Sequence, residues 1–117
     1  MSRAWHAFAA WGRAAHPDLR IVWTMLAGGA PLQAERLLAR GGPAAALHDP
    51  RSFYDVSSSG PATLDTAIRI LGVDRLVHGS DRPNASPVDP AALGPAVARA
   101  LLEVNPAEAF GAVAVPA

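Results

Sequence analysis

The chain has 117 residues, half of them hydrophobic, with ten acidic residues balanced by ten arginines and neither lysine nor cysteine. That length fits one domain spanning residues 1–117, and the apolar fraction is enough to bury a core. The neutral balance excludes a broad basic face for nucleic acid; no run approaches the ~20 apolar residues of a membrane span; and the missing cysteines exclude disulfides, a thiol nucleophile and thiolate metal sites.

Met1 to Arg20 is interrupted by Arg3, His6, Arg13 and His16, so it reads as an amphipathic helix and not as a leader peptide, which makes a cytoplasmic location the default. Ser2 is placed to cap that helix, which runs to about Ala15 with Ala4, Phe8, Trp11 and Ala15 on one face. His16-Pro17 ends it, because the residue before proline is pushed out of the helical region. Residues 20–27 (RIVWTMLA) form a continuous apolar run, rich in β-branched and aromatic residues, and predict a strand covered on both faces. Gly28-Gly29 makes the turn, Pro31 starts a helix from Leu32 to about Arg40, and Gly41-Gly42 stops it. Pro43 to Pro50 is loop or a short helical turn.

Residues 52–57 (SFYDVS) predict a second strand and Ser57 to Pro61 the turn that follows. Leu64, Ala67, Ile68 and Leu71 then fall at helical spacing, with Gly72 as the stop. Residues 75–79 (RLVHG) predict a third, short strand. Asp89-Pro90 opens a last helical region through Leu102, with Pro95 splitting off its first turn. Asn105 has the form of a fresh helix cap, with Glu108 placed to reach back to it. Strands separated by helices run parallel, so the expected class is α/β with three strand–helix units. The three turns GGAP, SSSGP and GSDRP then share the carboxyl edge of the sheet, where α/β active sites lie.

Asp81 is the leading candidate for chemistry. It sits just past the third strand, where a carboxylate can hold a divalent metal or accept a proton from an activated water. An ordinary turn cap, or pairing with Arg82, is the structural alternative. His78, one step earlier, has a ring that can ligate metal but is more commonly a packed neighbour. Asp55 can point to the same edge. Ser57, Ser58 or Ser59 can bind an anion at the helix start, or simply cap it. Gly28-Gly29 is not a phosphate loop, since neither the dinucleotide nor the nucleotide fingerprint occurs.

Three stretches together resemble the amidohydrolase-2 group of the amidohydrolase superfamily, which includes aminocarboxymuconate-semialdehyde decarboxylase. Pro17-Asp18-Leu19-Arg20-Ile21-Val22 with Gly28-Gly29-Ala30-Pro31 is similar to the group's strand and G-G-x-P turn. Phe53 to Ser58 is similar to its next strand. Leu71-Gly72-Val73-Asp74-Arg75, continuing to Gly79-Ser80-Asp81-Arg82-Pro83, resembles its L-G-x-D-R … G-S-D-x-P signature, followed by Asn105 … Phe110. The resemblance implies the C-terminal three units of a (β/α)₈ TIM barrel, with Asp81 ending the last strand at a zinc or other divalent metal.

It further implies hydrolysis or decarboxylation of a small organic acid, with Asp81 as catalytic residue and metal ligand. Arg82 and Ser57 are candidates to meet the substrate, and Arg51 a further one for its carboxylate. The group's His-x-His pair belongs to the first barrel strand, and many members carry histidine where this chain has Met25. A whole barrel takes about 200 residues or more, so a missing N-terminal half or a homo-oligomer is the expected partner, with no nucleic acid or membrane. The alternative is a non-catalytic partial barrel dependent on a partner chain or on self-association.

Overall fold

A computed structural model describes residues 1–111, so the last stretch of the expected domain, 112–117, lies outside the described part. Its centre is a sheet of three parallel strands in chain order: β1 (Ile21–Trp23), β2 (Ser52–Asp55) and β3 (Leu76–Val77). Four helices frame it: α1 (residues 2–15), α2 (30–39), α3 (Pro61–Leu71) and α4 (95–110). The parallel α/β order expected from the sequence is therefore present, and it is compatible with consecutive barrel units. No described helix is long and apolar enough to cross a membrane.

The strand expected over residues 20–27 stops at Trp23. Met25, Leu26, Ala27, Gly28 and Gly29 all take positive φ, which winds the chain into a left-handed turn. The apolar run continues beyond the strand because Leu26 and Ala27 are buried in the core as turn residues. Ser2, expected to cap α1, is instead inside the helix, and its hydroxyl donates to Gly28 O at 3.3 Å. That contact ties the start of α1 to the left-handed turn.

Side chains alternate across the strands and divide the core. Ile21, Trp23, Tyr54 and Leu76 pack under the helices with Trp5, Leu64, Ala67 and Leu101. Val22, Phe53 and Val77 form the other face with Ala109 of α4, and the Arg75 guanidinium lies 5.1 Å from the centre of the Phe53 ring. α4 thus wraps the outer edge of β3 and contributes to both faces.

The expected cap at Asn105 is not there. α4 runs through it without a break, since Val104 and Asn105 keep right-handed helical angles. Pro106 has no N–H to give its own turn. The helix absorbs this in a π-helical stretch, Ala100–Val104, where Asn105 N–H bonds to Ala100 O. That register releases Leu101 O, which accepts from His78 N–H at 3.2 Å. Asn105 is buried, and its amide donates to Val73 O and Leu76 O at 2.7 Å each. Glu108, expected to reach back to that cap, has its carboxylate 3.6 Å from Arg75.

At the opposite end of the strands lies a polar network under α1. Trp5 Nε1–H donates to Tyr54 OH at 2.9 Å, and Trp23 Nε1–H to Ser52 Oγ at 3.4 Å. Ser52 Oγ–H then donates to Asp49 at 2.7 Å, and Arg13 donates to the same carboxylate through Nε and Nη2. Burial pushes the Tyr54 phenol up to about 12, against the Trp5 hydrogen bond and with help from the Asp49 charge. Burial also acts to raise Asp49, but the bonds from Ser52, the Arg51 N–H and Arg13, with the charge of Arg13, outweigh it and hold the carboxyl below its ordinary value.

A depressed folded-state pKa contributes stability above the ordinary carboxylate value, near 4, and that contribution is lost as pH falls through the folded value. Urea midpoints of the wild-type protein and Asp49→Asn should therefore differ most at neutral pH and converge on acidification. A gap independent of pH would assign the effect to packing.

Candidate active site at the carboxyl edge of the sheet

The three strand-to-helix turns meet at one end of the sheet, and each carries strained backbone. The described non-glycine residues with positive φ are Met25, Leu26 and Ala27 after β1, Ser58 after β2 and Asp81 after β3. Left-handed geometry costs an L-residue roughly 1–2 kcal/mol, and such residues gather at functional sites when the surrounding fold holds them.

Ser58 and Asp81 touch each other. Ser58 Oγ–H donates to Asp81 Oδ2 at 2.5 Å, across the gap between the second and third turns. Asn84 Nδ2 lies 3.5 Å from Asp81 Oδ1, while Asn84 N–H and Ala85 N–H close a helical turn onto Asp81 O at 2.8 and 3.1 Å. Asp81 is therefore aimed by its own turn and steadied by the neighbouring one, with room left on its oxygens for a donor from outside.

Asp55, at the end of β2, makes a second local group. Its Oδ1 accepts from Ser57 N–H at 2.6 Å and from the Ser57 hydroxyl. Ser57, expected at the substrate, is buried with its hydroxyl committed to Asp55, whereas Ser58 is the serine that reaches Asp81. Arg82 is exposed beside Asp81, and its N–H lies 3.4 Å from Ser80 Oγ. Arg51 lies at the other end of the strands, where its guanidinium meets Asp18, and is not part of this edge. His78 is partly buried, with its backbone N–H on Leu101 O.

Gly79 is required by Asp55. A Cβ built on it would stand 2.5 Å from Asp55 Oδ1 and 2.8 Å from Asp55 Cγ, inside van der Waals contact. Gly79→Ala should thus cost about 1–3 kcal/mol in chemical denaturation and push the Asp55 carboxylate off Ser57. A variant as stable as wild type would show that the Asp55 side chain swings clear without loss.

The metal implied by the sequence resemblance does not fit the described residues as they stand. Zinc takes four ligands, typically His, Asp, Glu or Cys. Among the described residues no three His, Asp or Glu side chains gather at one point, and Asp81 offers a single carboxylate. No protein-family model and no curated protein matches the chain.

Two relations were not legible in the sequence. The Ser58–Asp81 bond joins residues 23 apart, and only the sheet register places their turns side by side. The clasp of Asn105 on β3 was hidden because Asn followed by Pro has the form of a helix start.

Proposed function

We propose that this chain is the C-terminal part of an amidohydrolase-type hydrolase or decarboxylase acting on a small organic acid, with Asp81 as its catalytic carboxylate. The observation that carries the proposal is the gathering of strained residues in all three carboxyl-edge turns, with Ser58 holding Asp81 across two of them. In this reading Asp81 accepts a proton at its free oxygen lone pairs, Ser58 holds the carboxylate in place, and Arg82 meets a substrate carboxylate. Any metal would need its remaining ligands from outside this chain. The test is turnover of small organic acids and tightly held metal in the protein joined to whatever chain completes its sheet. Both should be present together, and both absent from the chain alone. Turnover that persists after metal is stripped would remove the metal-dependent reading.

A second reading is favoured by one observation. In a closed barrel both outer edges of this sheet would be paired with further strands, yet α4 already occupies the edge of β3 through Leu101 and Asn105. The chain in this form is a self-associating, non-catalytic unit. Size measurement of the isolated chain, with and without added divalent metal, separates the two: the self-associating unit forms oligomers that ignore metal.

A further inference from the structure

Between α1 and α2 lies a cleft of about 250 Å³. Its floor is Ala30 and Leu37, both packed into the core. Gly42 closes one end by folding back over Leu37, where a Cβ would stand 2.3 Å from Leu37 Cδ1. In that turn Gly41 N–H bonds to Leu38 O at 3.0 Å and Gly42 N–H to Leu37 O at 2.9 Å. The last carbonyls of α2 are thus occupied, and the cleft is left to side-chain donors. These are Gln33, Arg36 and Arg40 along α2 and its end, with His6 facing them from α1. The His6 ring stands edge to face with the buried Trp5, their centres 5.1 Å apart.

Arginines in other clefts are matched by acids. Arg13 pairs with Asp49, Arg75 with Asp74 and Arg99 with Glu103, and each acid lines the same cleft as its arginine. No Asp or Glu lines the cleft of Arg36 and Arg40, and neither guanidinium is in an ion pair among the described residues. The two lie four residues apart on one side of the helix, where like charges repel. The chain as a whole is neutral, so this excess is local, and a bound anion would relieve it.

We propose that this cleft binds a small phosphate ester. Arg36 and Arg40 hold the phosphate, Gln33 and His6 add further N–H donors, and the organic part lies on Leu37 and Ala30. A guanidinium fork matches phosphate oxygens two at a time. A phosphomonoester carries about −1.5 to −2 charge at neutral pH, which suits two cations better than a single carboxylate does. The cleft is smaller than the roughly 300–1,000 Å³ of a drug-sized site, so the ligand is small. The inference uses neither Asp81 nor the sheet edges and is independent of both readings above.

Methyl phosphate and acetate, titrated calorimetrically into the full chain at constant ionic strength and neutral pH, give the test. Methyl phosphate should bind at least about tenfold more tightly than acetate, and Arg36→Gln and Arg40→Gln should each weaken it about tenfold through the loss of a charge-assisted bond. Arg69→Gln, on the exposed face of α3, should leave it unchanged. Methyl phosphate should also raise the melting temperature of the wild-type chain and not that of the doubly substituted one. Arg36 and Arg40 are both exposed, so the fold survives their replacement, and circular dichroism checks it. Failure of methyl phosphate to bind at millimolar concentration overturns the inference, and acetate binding as tightly overturns the choice of phosphate. Affinity unchanged in the double variant places the anion elsewhere and overturns the cleft.

Discussion

Asn105→Ala should destabilise the protein by about 1–3 kcal/mol, because it strips the described donor from the buried Leu76 O and one of two donors from Val73 O, which keeps the Leu76 N–H. Val73 O and Leu76 O both lean on the same amide, and Asn105 is 1 % exposed, so water cannot replace it without opening the contact between α4 and β3. A buried polar group left without a partner costs roughly 1–3 kcal/mol, and Leu76 O alone is then a sizeable share of the 5–15 kcal/mol that holds a domain of this size. Urea denaturation of the wild-type and variant proteins reads the difference directly. Asn105→Asp should be worse at neutral pH, where a carboxylate would face two carbonyl oxygens with no proton to give, and should recover in part on acidification. A loss below about 1 kcal/mol for alanine would mean that α4 shifts and finds the carbonyls other donors.

On the proposed catalytic reading, Asp81→Asn should lower turnover of the assembled protein by about 10²–10⁴-fold while leaving the fold intact. Asparagine accepts left-handed backbone as readily as aspartate, so the turn at φ 49° survives. Its amide oxygen can still take the Ser58 hydroxyl, so the geometry across the two turns is kept. What asparagine cannot do is accept a proton in the reaction. Ser58→Ala complements it: the carboxylate remains but loses the donor at 2.5 Å, and activity should fall less than with Asn. Equal melting temperatures for wild type and Asp81→Asn, together with the loss of turnover, would assign Asp81 to chemistry. Full turnover in Asp81→Asn would reduce the carboxylate to a turn residue and end the proposal.

Much of the architecture was legible because it rests on local rules. The helix of residues 2–15 ends at His16-Pro17 as expected, but it buries Trp5 and half-buries Phe8, and leaves Trp11 of the expected Ala4, Phe8, Trp11, Ala15 face 73 % exposed. α3 follows from Leu64, Ala67, Ile68 and Leu71 closed by Gly72. Apolar runs separated by helices called for parallel strands, and the three strands pair that way, within shorter limits. Where expectation and structure part, burial by distant segments is the cause. Leu26 and Ala27 are as apolar as strand residues because they fill the core, although their backbone turns left-handed. Asn105 has the residue type and spacing of a helix cap, yet the carbonyls of β3 lie close enough to take its amide.

The placing of Asp81 after a strand, in a turn with Gly79 and Pro83, could be read from residue order alone, because glycine, proline and a following helix act within a few residues. Its partner Ser58, the commitment of Ser57 to Asp55 and the closing of the β3 edge by α4 could not. Periodicity and turn chemistry are short-range and determine which elements form. Which turns touch, which hydroxyl meets which carboxylate and which sheet edge stays open depend on the register of strands dozens of residues apart, and only tertiary packing decides that.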